Sequence, residues 1–153
     1  MATGVSVLDH LVTLLAQYAS FELVLEVEPG AAAAEVATAG RALGEALADE
    51  LRRPDALGYG SSLMTADEAL ASVALEASGR PLVVSNVDLS EARVAGLGTD
   101  VVADFLQELA QGAGLTLHVR LIEGSDTQHV LEAIFKGIGA ALARACAPRR
   151  RKT

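Results

Sequence analysis

Gln128-His129-Val130-Leu131-Glu132-Ala133-Ile134-Phe135-Lys136-Gly137-Ile138-Gly139-Ala140-Ala141-Leu142 decides how this chain folds, because an earlier segment repeats its framework with the polar residues erased. Ala33-Ala34-x-x-Ala37 falls on Gln128-His129-x-x-Glu132, Leu43-Gly44 on Ile138-Gly139, and Leu47 on Leu142. With an offset one residue shorter, Leu15-Ala16-Gln17 falls on Leu109-Ala110-Gln111, Phe21 on Leu115, Leu23 on Leu117 and Leu25 on Val119. Each half therefore holds a helix, a strand and a second helix in the same order. A period of this length is one supersecondary unit used twice, whereas a solenoid needs shorter units and at least three of them.

In the later copy Leu131, Ile134, Phe135, Ile138 and Leu142 recur at helical spacing and define a buried stripe. His129, Glu132 and Lys136 lie at i, i+3 and i+7 on the other side. A histidine and a carboxylate one turn apart reach a single cation, and a lysine one further turn on holds an anionic ligand beside it. Taken alone, the same three residues also describe an ordinary solvated helix face.

The 153 residues suffice for one domain with a sizeable core, and the whole of 1–147 reads as that domain, its first copy 1–54 and its second 55–147. Hydrophobic residues make up 51% but aromatics only 3%, so the core must be built from Leu, Val, Ile and Ala. No apolar run approaches the roughly 20 residues of a membrane span, and no basic segment leads into an apolar signal, so a cytoplasmic location without a membrane partner is expected. A net charge of -8 argues against nucleic acid, whose phosphates call for a basic surface. The only cationic cluster, Arg149-Arg150-Arg151-Lys152, follows Pro148, and 148–153 reads as a basic disordered tail. Cys146 is the single cysteine, which rules out an internal disulfide and reads as a small core or interface residue.

Ser6 with Asp9 reads as a capping box opening a helix with stripe Leu8, Leu11, Val12 and Leu15, ending near Ser20. Phe21 to Glu28 alternates as a half-buried strand would, and after Pro29-Gly30 a second helix runs from about Ala32 to Leu51, closed by Pro54. Asp67 to Ser78 is ambiguous, helix by propensity and strand by its Val73-Leu75 alternation, while Leu82-Val83-Val84 is a strand core. Thr99 caps a helix with stripe Val102, Phe105, Leu106 and Leu109, stopped by Gly112. Leu115 to Ile122 is a strand, Ser125 with Gln128 makes another capping box, and the last helix runs to about Ala147. The outline is α+β, with about four helices packed on a mainly antiparallel sheet.

Thr3-Gly4 with Leu8-Asp9-His10, Gly40-x-Ala42-Leu43-Gly44, Asp67-Glu68-Ala69-Leu70, Ser78-Gly79-Arg80-Pro81, Ala113 to Arg120 and His129-x-x-Glu132-Ala133-x-Phe135-Lys136 together resemble the imidazoleglycerol-phosphate dehydratases of histidine biosynthesis. The resemblance covers essentially the whole chain. It implies a duplicated α+β fold of the ribosomal S5 domain 2-like type, with the first copy truncated because the chain starts almost at Leu-Asp-His, where the family carries N-terminal strands and an acidic proton-transfer residue. It also implies a large homo-oligomer with di-manganese sites between subunits. In the family reaction D-erythro-imidazoleglycerol phosphate loses water to give imidazole acetol phosphate, and metal holds the imidazole ring deprotonated so that a carbon-bound proton becomes removable.

On that template the metal-ligand positions retained here are His10, His118, His129 and Glu132, and the phosphate positions are Arg80 and Lys136. The earlier His-His-x-x-Glu is Ala33, Ala34 and Ala37, the first histidine of the later one is Gln128, the substrate-contacting histidine after the first helix is Tyr18, and the arginine before an aromatic-glycine pair is Gly58. Alanine has no donor atom and glutamine is a poor substitute for imidazole toward manganese. The expectation is therefore a homologue with weak or no activity of its own, holding one residual metal or none. No catalytic residue is assigned. The alternative is a non-catalytic structural or regulatory subunit that assembles with itself or with an intact homologue and admits an imidazole phosphate ligand. Each retained residue also has a plainer reading: His118 as an interface histidine, Arg80 as a turn residue, Lys136 as part of a solvated face, and Asp67 and Glu68 as caps rather than groups that orient a ligand.

Overall fold

The computed structural model describes residues 6–20, 32–87, 93–94 and 97–149. Helices α1 (Ser6–Ala19) and α2 (Ala32–Leu51) come first. Strands β1 (Tyr59–Ala66), β2 (Ala69–Glu76), β3 (Leu82–Ser85), β4 (Arg93–Val94) and β5 (Leu97–Gly98) follow, then α3 (Thr99–Ala113), β6 (Thr116–Glu123) and α4 (Thr127–Cys146). One sheet has the order β1-β2-β6-β3, and β4 and β5 form a separate two-residue ribbon. β1/β2 and β2/β6 are antiparallel while β3/β6 is parallel, so the sheet is mixed and mainly antiparallel.

The ambiguous segment from Asp67 is a strand. Ala69, Ala71, Val73 and Leu75 are buried and the residues between them are more open, the alternation of a sheet with one covered face. Pairing with both β1 and β6 overrides the helix propensity of its alanines. The inner face carries α4, and α1 packs on α4 while α2 packs on α3. Val102, Phe105, Leu106 and Leu109 of α3 and Leu131, Ile134, Phe135, Ile138 and Leu142 of α4 are all buried, as their spacing requires. They join residues of the first copy in one continuous core.

Two helix-end assignments need correction. Gly112 lies inside α3, which runs to Ala113, and the turn is made by Gly114 at φ +70°. Gly112 is instead a packing residue, since a Cβ there would stand 2.6 Å from the Arg41 carbonyl oxygen. The cap of α4 is Asp126, not Ser125, for the Asp126 side chain accepts from the His129 backbone N–H at 3.1 Å. The strand expected over Phe21 to Glu28, the end of the basic tail, and the capping side chains of Ser6 and Thr99 lie outside the described residues.

The duplication appears as reciprocal contact. A Cβ on Gly44 of α2 would lie 2.5 Å from the Leu109 carbonyl oxygen of α3, and a Cβ on Gly139 of α4 would collide with the Leu15 carbonyl oxygen of α1. Gly44 is the counterpart of Gly139 and Leu15 of Leu109, so each copy presses the same glycine on the same leucine of the other. Gly44→Ala is therefore expected to destabilise the protein by about 1 to 3 kcal/mol through overpacking, although alanine is the better helix former by roughly 1 kcal/mol. A lowered urea midpoint at unchanged slope is the expected readout, and a raised one would contradict this packing.

Among the described residues no helix is long and apolar enough to cross a membrane. Half-buried Cys146 has its thiol pushed above the ordinary range, first by burial and then by Glu50, so it stays protonated at neutral pH and is a poor nucleophile. The outward-facing backbone of β1 is covered from α4, where Arg144 Nη1 donates to the Ser61 carbonyl at 2.9 Å and Lys136 Nζ to that of Thr65 at 3.4 Å. Such plugs keep an edge strand from recruiting another strand.

Candidate functional site

The polar strip of α4 runs between two walls. On one side stands α1 with His10 and Tyr18, and on the other the tight turn joining β1 to β2, where Ala66 pairs with Ala69 across Asp67-Glu68. Asp67 adopts φ 52°, a left-handed conformation that aspartate tolerates better than most residues. His129, Glu132 and Lys136 are all partly buried between these walls.

His129 is held from three directions. Its Nδ1 meets Glu68 Oε1 at 2.5 Å, its Nε2 meets Asp67 Oδ2 at 3.3 Å, and Asp126 Oδ1 lies 3.9 Å from Nδ1. The hydrogen bond to Glu68 raises the His129 pKa above the ordinary 6.5, opposed by desolvation and reinforced by the charges of Asp126, Glu68 and Asp67. One turn on, Glu132 Oε1 lies 3.1 Å from His10 Nε2, and Gln128 Nε2 donates to the same oxygen at 3.4 Å. Lys136 donates to the Thr65 carbonyl and sits over the Tyr18 ring, 5.5 Å from its centroid.

Because the folded-state pKa of His129 is raised, the stability this cluster contributes is fully present below about 6.5, and it is lost as pH rises through the folded value. The thermal midpoint difference between the wild type and Glu68→Gln should be larger at about pH 6 than at about pH 9. An equal difference at both would mean that the charge on His129 contributes nothing.

The structure brings His10, His129, Glu132 and Lys136 together and leaves two assigned residues apart. His118 is exposed on the outer face of β6, between Ala74 and Val84, and lines a hollow of about 490 Å³ with Tyr59, Ser61, Glu76 and Thr116. Arg80 lies in the turn after β2, at the far end of that strand from Asp67 and Glu68, about 25 Å along it at strand rise. Its backbone N–H and carbonyl are fixed by the Ser78 hydroxyl at 3.0 and 3.3 Å, consistent with a turn role. Asp67 and Glu68 cap no helix and face His129. The carbonyl of Thr65 carried no signal in the sequence, and the role of Asp126 was hidden because Ser125 beside it is an equally good cap.

The donors among the described residues are not arranged for a metal ion. Among the described residues no group of three or more His, Cys, Asp or Glu side chains is arranged to hold one. Both ring nitrogens of His129 already face carboxylates, and the Glu132 oxygen nearest His10 also receives Gln128.

A family model described as imidazoleglycerol-phosphate dehydratase matches residues 3–142. The imidazoleglycerol-phosphate dehydratase of Syntrophobacter fumaroxidans is 40% identical over 149 residues, covering 95% of this chain and 76% of its own. That of Acetivibrio thermocellus is 37% identical over 146 residues, covering 93% and 75%. The crystal structure of the Staphylococcus aureus enzyme superposes with a TM-score of 0.90 at 32% identity, over 97% of this chain and 87% of that one. The Pyrococcus furiosus enzyme, in complex with (S)-C348, gives 0.83 at 28% identity, over 99% and 85%.

Proposed function

Because this chain belongs to the imidazoleglycerol-phosphate dehydratase family, we propose that it is a histidine-biosynthesis homologue with weak or no dehydration activity of its own. The observation that carries this reading is the asymmetry between its two equivalent helices. The first two turns of α2 carry Ala33, Ala34 and Ala37, none of which has a donor atom, where α4 has Gln128, His129 and Glu132. The donors that remain on α4 are engaged with neighbours in the same chain. Losing first-contact metal ligands should cost more than the 10 to 100-fold typical of losing a group that only orients one. The strip still suits an imidazole phosphate, with the ring near His129 and Glu132 and the phosphate near Lys136. A dehydratase assay with added manganese tests the reading: turnover below about 0.01 per second is expected, and a value in the ordinary enzymatic range of 1 to 1000 per second would overturn it.

A second reading, as a structural or regulatory subunit assembling with itself or with an intact homologue, is favoured by the outer face of the sheet. Among the described residues, five of the six exposed large hydrophobic side chains, Tyr59, Leu63, Leu82, Val84 and Ile122, lie on its strands. Exposed large apolar side chains gathered on both flanks of one sheet face, about the more polar strip of Ser72, Glu76, Thr116, His118 and Arg120, suit a partner surface. Native mass spectrometry after co-expression with an intact dehydratase distinguishes mixed from separate assemblies, and a monomer under all conditions would remove this reading.

A further inference from the structure

Tyr18 stands where the family resemblance places a histidine, yet its ring is not idle. Lys136 Nζ lies 5.5 Å from the ring centroid, inside the roughly 6 Å over which an ammonium is attracted by the negative face of an aromatic ring. The same nitrogen donates to the Thr65 carbonyl at 3.4 Å. A lysine ammonium has three donors and a flexible four-carbon stem, and left to itself it samples many rotamers. Here α1 supplies a ring, the end of β1 supplies a carbonyl, and between them the ammonium stays at the end of the strip away from the carboxylates around His129. The Thr65 carbonyl accepts one of its hydrogen bonds and the ring attracts the charge as a whole. Lys136 follows Glu132 by four residues, about 6 Å along the helix axis.

We propose that Tyr18 is a positioning residue for Lys136, its ring face holding the ammonium as a preformed receptor for the oxyanion of a phosphate monoester bound along α4. This rests on the ligand class proposed above, and it assigns to Tyr18 a role different from that of the histidine it replaces. The hydroxyl of Tyr18 is not needed for it, whereas the ring is.

The chain has only two lysines, Lys136 and Lys152, which makes the test clean. In the full-length protein labelled with 13C at lysine Cε, the Lys136 resonance should be displaced by the ring current of Tyr18 relative to that of Lys152. The displacement should persist in Tyr18→Phe and vanish in Tyr18→Ala. In parallel, the dissociation constant for glycerol 2-phosphate is measured by calorimetry. Tyr18→Ala should weaken it about two- to fivefold, the size of a cation–π contact at a partly exposed site, Tyr18→Phe should leave it near wild type, and Lys136→Met should weaken it at least as much as Tyr18→Ala. Unchanged affinity in Tyr18→Ala together with a large loss in Lys136→Met would overturn the role of Tyr18 and leave the phosphate assignment of Lys136 standing. Unchanged affinity in Lys136→Met would overturn both.

Discussion

Phe135→Ala is expected to remove about 3 to 5 kcal/mol of stability, the range for truncating a fully buried phenylalanine. Phe135 is fully buried and stacks on Phe105 with ring centroids 5.6 Å apart and planes tilted by 32°, so one side chain ties α4 to α3. In a chain whose aromatics make up only 3%, no other large side chain stands ready to fill the void. Surrounding Leu, Ile and Ala side chains are held in their own packing and relax only in part, leaving a cavity cost on top of the lost transfer energy. Against a total stability of about 5 to 15 kcal/mol, that is enough to unfold a substantial fraction at elevated temperature. Urea denaturation gives the number, with Phe135→Leu as a milder control; a loss below about 1 kcal/mol would mean the α3–α4 seam is looser than its burial implies.

The second large effect is a gain. Replacing Ala33→His, Ala34→His and Ala37→Glu, together with Gln128→His, restores a donor at each position where the two equivalent helices differ from the family pattern. Manganese affinity is then expected to rise by at least the 10 to 100-fold associated with changes one step further from the metal. The site has room for one of these changes in particular. Ala37 lines an open groove with Thr38, Arg41, Ala42, Glu45 and Glu108. Arg41 stands one turn on at i+4, now shared between Glu108 at 3.3 Å and Glu45 at 3.9 Å, so a carboxylate introduced at 37 meets a cation and not a wall. Metal content per chain by elemental analysis, with circular dichroism to verify the fold, decides the matter. A folded quadruple variant with no more manganese than the wild type would mean that the alanines are not what limits metal binding.

The helices were legible because their signals are local. The Ala-rich run closed by Pro54 bounds α2, and the stripe from Leu131 to Leu142 marks the buried side of α4 without reference to anything distant. β2 was not, since Ala71 and Ala74 favour a helix until β6 arrives to pair with them from more than forty residues away. Gly112 misled for a related reason: its missing side chain serves a neighbouring helix and not its own end. At the site, the spacing of His129, Glu132 and Lys136 placed them on one strip. Their partners come from the β1–β2 turn and from α1, and only folding shows that Glu68 and His10 are the groups they meet. His118 has the opposite history, for its sequence context groups it with the other histidines while the pleat of β6 sends it to the outer face.

The contact of Gly44 with Leu109, matched by that of Gly139 with Leu15, has the form of an isologous interface, in which position i meets j and j meets i. Joined in one polypeptide, the two halves hold each other as the subunits of a symmetric dimer do. A half-length chain would carry a helix face shaped for its own twin and would bury it by pairing. Tethering removes the concentration dependence of that pairing and frees the halves to diverge, so that α2 carries Ala33, Ala34 and Ala37 where α4 carries Gln128, His129 and Glu132 while the shared seam stays intact.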